Sequence, residues 1–184
     1  MKIYIIEKEK EKFKYLVPYF DDLQDVVLVN TDFTSFINSH FVECIVSPAN
    51  SYGIMDGGYD LAITNYFGKD LQQKVQDYII ENYYGEQPVG TSFIIDINDT
   101  QKLIHTPTMR IPSKIKDARV IYQCMRMTLI TANQNNIKDI LIPMFGGSTG
   151  GVSPHNIAKM MRYAYDQIEM PPEKLTWEYV KKLK

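Results

Sequence analysis

Apolar residues recur along this chain in two rhythms. Short β-branched blocks bounded by Gly, Pro, Asn or Asp predict strands at 2–6, 25–30 (DVVLVN), 43–47, 92–96, 102–106 and 139–144 (DILIPM). Between them the spacing turns helical. From Tyr59, the positions Leu61, Ala62, Tyr66 and Phe67 share a face up to Gly68, and Leu71, Val75, Tyr78 and Ile79 form a stripe over 69–84 that stops at Gly85. Val120, Cys124, Met127, Leu129 and Ile130 predict a long helix over 116–135. Ser153-Pro154, an N-cap followed by proline at the first helical position, predicts another to about 169. Thr31 or Asp32 is placed to cap a short helix carrying Phe36 and Ile37, 7–20 reads as a charged helix or turn, and 173–183 reads as a final short helix with the lone Trp177.

Strands alternating with helices of these lengths predict one α/β domain over 1–184, a three-layer α/β/α fold on a mixed central sheet. Asn98-Asp99 leaves 92–96 and 102–106 as either a hairpin or two neighbouring strands, and the prolines of TPTMRIP (106–112) keep that stretch irregular, as a site wall. Ligands of such sheets lie beyond the carboxyl ends of the strands. Three strand-end loops, 31–34, 48–59 and 145–153, therefore frame the expected site.

Composition narrows the chemistry. With 184 residues and 45% hydrophobic content the chain can bury a full core, and a net charge of -2 gives no general field for nucleic acid or an anionic membrane. Cys44 and Cys124 sit in apolar surroundings without metal-type spacing, as buried structural thiols do. The N-terminus reads as a strand and not a signal peptide, and no apolar run approaches the roughly 20 residues that span a bilayer, so a cytoplasmic protein without a membrane partner is expected. No Cys/His/carboxylate cluster suggests a catalytic metal.

What remains for an anionic ligand is geometry. The segment VSPANSYGIMDGGYDLAI (46–63) runs from a strand through a glycine turn into a helix start, which delivers backbone N–H groups and a helix N-terminus to one place. In GGSTGGV (146–152) the glycines allow close backbone approach, while Ser148, Thr149 and successive N–H groups can surround a diphosphate without a lysine. It is neither a Walker A loop nor a dinucleotide fingerprint.

Four motifs in order, NTDFT (30–34), CIVSPANSYGIMDGGYDLAI (44–63), LIHTPTMRIP (103–112) and IPMFGGSTGGVSP (142–154), resemble the macro domain, the ADP-ribose-binding module, over nearly the whole chain. The likeness is to a divergent branch with SPANS and MDGG where familiar members have NAAN and a glycine run. Met55 and Asp56 stand in place of two glycines, and Tyr59 is bulkier than the usual residue.

The resemblance implies roles by position. Asp32 would accept from the adenine amino group, and the Phe33 backbone would meet the ring nitrogen; Asp32 also suits a helix cap. Asn50 would bond the distal ribose, although it also suits a turn after Pro48, and Ala49 belongs to the same ligand-binding loop. Gly57, Gly58 and Tyr59 would approach the phosphates and distal ribose, with Gly146, Gly147, Ser148, Thr149, Gly150, Gly151 and Val152 clasping the diphosphate. Asp60 falls where hydrolytic members keep an aspartate that, with a substrate phosphate, orients or deprotonates a water attacking the anomeric carbon, with Asn50 positioning the sugar. It equally suits a first-turn carboxylate favoured by the helix dipole. For stacking on adenine, Phe33, Tyr163 and Trp177 are candidates. His155 stands beside the phosphate loop as a candidate proton donor or phosphate contact, while His105 reads as structural.

The implied activity is binding of ADP-ribose or a close derivative, without a cofactor, and hydrolysis of an adduct at the distal ribose: ADP-ribosylated protein, O-acetyl-ADP-ribose or ADP-ribose 1''-phosphate. The alternative is a non-catalytic reader or sequestering module for an NAD-derived nucleotide. An ADP-ribosylated macromolecule is a candidate partner, and the acidic pI of about 5.9 disfavours nucleic acid.

Overall fold

Six strands form one sheet in the order β2-β1-β6-β3-β5-β4 in a computed structural model that describes residues 1–182. The strands are β1 (Lys2–Ile6), β2 (Val26–Val29), β3 (Cys44–Ser47), β4 (Phe93–Asp96), β5 (Lys102–His105) and β6 (Asp139–Pro143). All neighbours pair in parallel except β4, which returns antiparallel along β5 with Phe93 opposite His105. The hairpin alternative for these two segments is thus the one realised. Asn98 closes it: its side-chain oxygen accepts from the backbone N–H groups of Thr100 and Gln101.

Alternation along the strands sorts their side chains onto two faces. Ile3, Ile5, Cys44, Val46, Ile104, Ile140 and Ile142 face one core, while Ile6, Ile45, Leu103 and Leu141 face the other. Over the first face lie α2 (Val17–Phe20), α6 (Arg119–Gln134) and α7 (Pro154–Glu169), which bring Phe20, Met125, Leu129, Met161 and Ala164. Over the second lie α3 (Phe33–Ser39), α4 (Gly58–Phe67) and α5 (Asp70–Tyr83), with Phe36, Ile63, Leu71, Val75 and Ile79. This is the expected three-layer α/β arrangement on a mixed sheet. Each fully buried aliphatic side chain contributes about 1.5–3 kcal/mol, so both layers are held mainly by these stripes.

Several expected boundaries move for local reasons. Segment 7–20 resolves into α1 (Lys10–Phe13) and α2, which starts afresh with Pro18 in its first turn. The helix expected from 116 begins at Arg119, because Asp117 caps Arg119 N–H from outside it. The final helix is α8 (Trp177–Lys182), whose start is fixed by Thr176 accepting from Tyr179 N–H. Leu183, at the end of that expected helix, lies outside the described residues. Among the described residues no helix is long and apolar enough to cross a membrane.

Candidate functional site

The carboxyl ends of β1, β2, β3 and β6 open into a cavity of about 460 Å³. Its wall holds Asp32 and Phe33 on one side, Pro48, Ala49 and Asn50 with Asp56, Gly57, Gly58, Tyr59 and Asp60 on another, and Gly146, Gly147, Ser148, Thr149 and Gly150 on a third. Thr108, Met109 and Pro112 from the irregular segment also line it, as do Glu7, Lys8, Glu9 and Lys12 after β1.

Asp32 is the N-cap of α3. One carboxylate oxygen accepts from Ser35 N–H at 2.9 Å and the other from the Ser35 hydroxyl at 2.7 Å. These bonds hold its carboxyl below the usual range, so it is an anion with an acceptor edge at the cavity. The Phe33 ring turns inward and meets Tyr59, Tyr66 and Phe67 edge-on or tilted, at 5.4–6.4 Å.

Asn50 spends much of its side chain on its own loop. Its amide donates to Ile54 O at 2.8 Å, and its oxygen accepts from Tyr52 N–H at 3.1 Å and more weakly from Ile54 N–H. The loop is stitched to the 106–112 wall by an isolated bridge between Asn50 and Met109 and by the Thr108 hydroxyl on Pro48 O at 3.0 Å. Met55, in place of a glycine, packs its side chain into the core while its N–H donates to Gln72. Asp56, in place of the next, is exposed at the cavity.

Asp60 sits in the first turn of α4, whose N-cap is Gly57. The Ser47 hydroxyl donates to it at 2.6 Å. The residue keeps some accessible surface at the cavity, yet its carboxyl is closely surrounded, and this desolvation pushes its pKa up to about 7 against the opposing pull of the Ser47 bond. A carboxyl that is half ionised near neutral pH can take a proton from water or give one back. Beside it the Tyr59 hydroxyl is buried without a partner.

In the third loop, Gly146 adopts φ +70, a left-handed turn that a side chain would strain. A Cβ at Gly150 would come 2.7 Å from Gly146 O, so the loop closes on itself there. Gly151 and Val152 do not line the cavity: Gly151 N–H donates to Ser148 O, and Val152 turns its side chain into the core while its N–H donates to Gly146 O. Both residues thus support the loop from behind through these bonds.

Other expected groups lie elsewhere. His155 packs edge-on against Tyr19 at 5.7 Å and is absent from the lining. His105 is buried with Nδ1 2.6 Å from Gln87 Oε1; burial drops its pKa to about 3, so it stays neutral. Tyr163 stacks obliquely on Tyr122, and Trp177 is exposed on α8; neither reaches the cavity, which leaves Phe33 as the aromatic of the three that lines it. Both cysteines are buried, and burial raises their thiols far from reactivity. Among the described residues no group of three or more His, Cys, Asp or Glu side chains could hold a metal ion.

Two participants escaped the sequence. Ser47, the partner of Asp60, could have been suspected as the residue before Pro48 at a strand end. Lys12 could not: it lines the cavity and donates to Gly147 O at 3.1 Å, from a segment 135 residues away in the chain.

A parallel-rich α/β sheet with a glycine-walled cavity at its strand ends defines an α/β protein whose cavity lies at the edge where such sheets bind ligands. The chain belongs to the macro domain family, whose model matches residues 46–161. It is similar to an uncharacterized protein of Aquifex aeolicus (strain VF5), 27% identical over 121 residues, which covers 65% of this chain and 70% of that one. Among solved structures, the macrodomain of Mycobacterium tuberculosis DarG aligns with a TM-score of 0.61 at 19% identity, covering 71% of this chain and 85% of that one. A variant of the Oceanobacillus iheyensis macrodomain with ADPR aligns with a TM-score of 0.61 at 21% identity, covering 71% and 73%. At these identities the structural likenesses establish the fold.

Proposed function

We propose that the cavity binds ADP-ribose or a close derivative and that the protein hydrolyses an adduct at the distal ribose. Family membership and the ADPR held by the Oceanobacillus iheyensis variant support the ligand. Asp32 and the Phe33 backbone take the adenine, Ala49, Gly57, Gly58 and Tyr59 line the path of the ribose and phosphates, and the loop from Gly146 to Gly150 takes the diphosphate. The observation that carries the hydrolytic step is Asp60, a carboxyl poised near pH 7 at the cavity wall. Asp60 accepts a proton from water as the water oxygen bonds to the anomeric carbon; the bond from that carbon to the leaving group breaks, and the leaving group departs with the electron pair. ADP-ribosylated protein is one substrate this chemistry fits, and a cytoplasmic setting accords with it.

The rival reading, a reader without turnover, is favoured by Asn50, whose side chain is already engaged with its own loop. Calorimetric titration with ADP-ribose, with AMP and NAD as comparators, tests the shared pocket; saturable binding selective for ADP-ribose is expected, and binding of none of the three overturns the assignment. Turnover of ADP-ribosylated protein, O-acetyl-ADP-ribose and ADP-ribose 1''-phosphate by wild type and Asp60→Ala then separates the readings. Loss of turnover with retained binding supports the hydrolase; wild type inert on all three supports the reader.

A further inference from the structure

The cavity proposed to receive a diphosphate is lined by more anions than cations. Glu7, Glu9, Asp32 and Asp56, together with the half-ionised Asp60, stand against two lysines, Lys8 and Lys12. Backbone N–H groups of the glycine loop supply directed donors but carry no full charge. An anionic ligand entering this lining therefore depends on whatever cation is fixed there.

Lys8 is exposed, whereas Lys12 is held. Its side chain is 24% exposed, and its ammonium bonds Glu9 Oε1 at 2.7 Å and Gly147 O at 3.1 Å. An ammonium has three donors, and these two contacts leave one. The group thus sits at the glycine loop with a donor to spare and its stem partly covered, so little further ordering is needed to meet an oxyanion. Lys12 lies outside the matched family segment, which begins at residue 46.

We propose that Lys12 is a phosphate-binding residue of this cavity, supplied by the segment after β1, which bridges the glycine loop to the diphosphate of the ligand. The inference rests on the ADP-ribose reading for its ligand, and on the lining charges and the Gly147 contact for its residue. Glu9 orients the ammonium, and Gly147 O fixes its distance from the loop. The third N–H then meets a phosphate oxygen.

The test is titration of wild type, Lys12→Gln, Lys12→Ala and Lys12→Arg with ADP-ribose, adenosine and inorganic pyrophosphate at low and high salt. Lys12→Gln keeps a neutral donor for Gly147 O but removes the charge. A lost charge-assisted bond corresponds to about a tenfold weaker affinity. The expected result is that loss for ADP-ribose in Lys12→Gln and Lys12→Ala, near-wild-type binding in Lys12→Arg, and no change for adenosine. High salt should also narrow the gap between wild type and Lys12→Gln, since screening acts on the charge. ADP-ribose affinity equal in wild type and Lys12→Gln overturns the inference, as does an equal loss for adenosine, which would assign Lys12 to loop shape alone. If wild type fails to bind ADP-ribose, the functional reading falls by itself. Pyrophosphate then decides on Lys12: weaker binding by Lys12→Gln sustains it as an anion site, and identical curves remove it.

Discussion

Ser47 and Asp60 share a hydrogen bond of 2.6 Å that ties the last residue of β3 to the first turn of α4. The bond stabilises the ionised carboxylate, and desolvation outweighs it, leaving the pKa at about 7. If Asp60 acts as the base, activity rises with pH through about 7 as the carboxylate forms. Ser47→Ala removes the stabilising donor, so the midpoint of that rise should move to higher pH. Initial rates of the wild type and the variant from pH 5 to 9 measure it; an unmoved midpoint would separate Asp60 from the rate-limiting proton transfer.

The same carboxyl carries a cost for the fold. Its folded pKa of about 7 lies above the unfolded value of roughly 3.9, so the folded state holds the proton more tightly. Stability is therefore lost as pH rises from about 4 to 7, and the penalty is complete above that window. Asp60→Asn keeps an acceptor for Ser47 without the charge. After allowance for the partial exposure of Asp60, a gain of about 1–2 kcal/mol, or roughly 4 °C in melting temperature, is expected at pH 8. Melting curves at pH 4.5 and pH 8 check it: the two proteins should differ at the higher pH and nearly coincide at the lower.

Gly57 offers a substitution that the empty protein should tolerate. Its φ is -144, an extended conformation open to any residue, and an added Cβ would meet nothing within 4 Å. Because Gly57 is the N-cap of α4, where alanine is less favoured, Gly57→Ala should cost about 1 kcal/mol or less and lower the melting temperature by no more than about 4 °C. The space a Cβ would fill is at the cavity wall, where a ligand's phosphates or ribose are proposed to approach the backbone. A loss of ADP-ribose affinity of about tenfold or more is expected. Unchanged affinity would move the ligand away from the MDGG turn.

Much of the architecture could be read from the chain because its central strands β3 and β6 are buried on both faces. Runs such as DILIP in β6 have no polar alternation to blur them, and Leu141 serves one core while Ile140 and Ile142 serve the other. The loop positions of Asp32, Asn50 and Gly146 were legible because glycine, proline and capping residues punctuate strand ends locally, whereas Asp60, in the first turn of α4, came from the family resemblance. What a linear pattern could not carry was depth and direction. Val152 is two residues from Gly150 yet turns into the core, and His155, close in sequence to the glycine loop, packs on Tyr19 instead. Lys12 was invisible for the converse reason, because its partner is a backbone carbonyl that no residue type announces.

The strand order has a consequence for how this molecule comes into being. β1 lies inside the sheet, between β2 and β6, so one of its two edges stays open until Asp139–Pro143 has been made. Ribosomes deliver that partner late, and the glycine loop that Lys12 grips follows it. A nascent chain therefore carries a bare, Ile-rich strand edge until Asp139–Pro143 has emerged, which is a template for pairing with other chains. Topology of this kind also slows folding, because distant segments must meet before either is rewarded. The ligand pocket is accordingly a late product of folding, and truncation before β6 should yield insoluble protein and not a weaker binder.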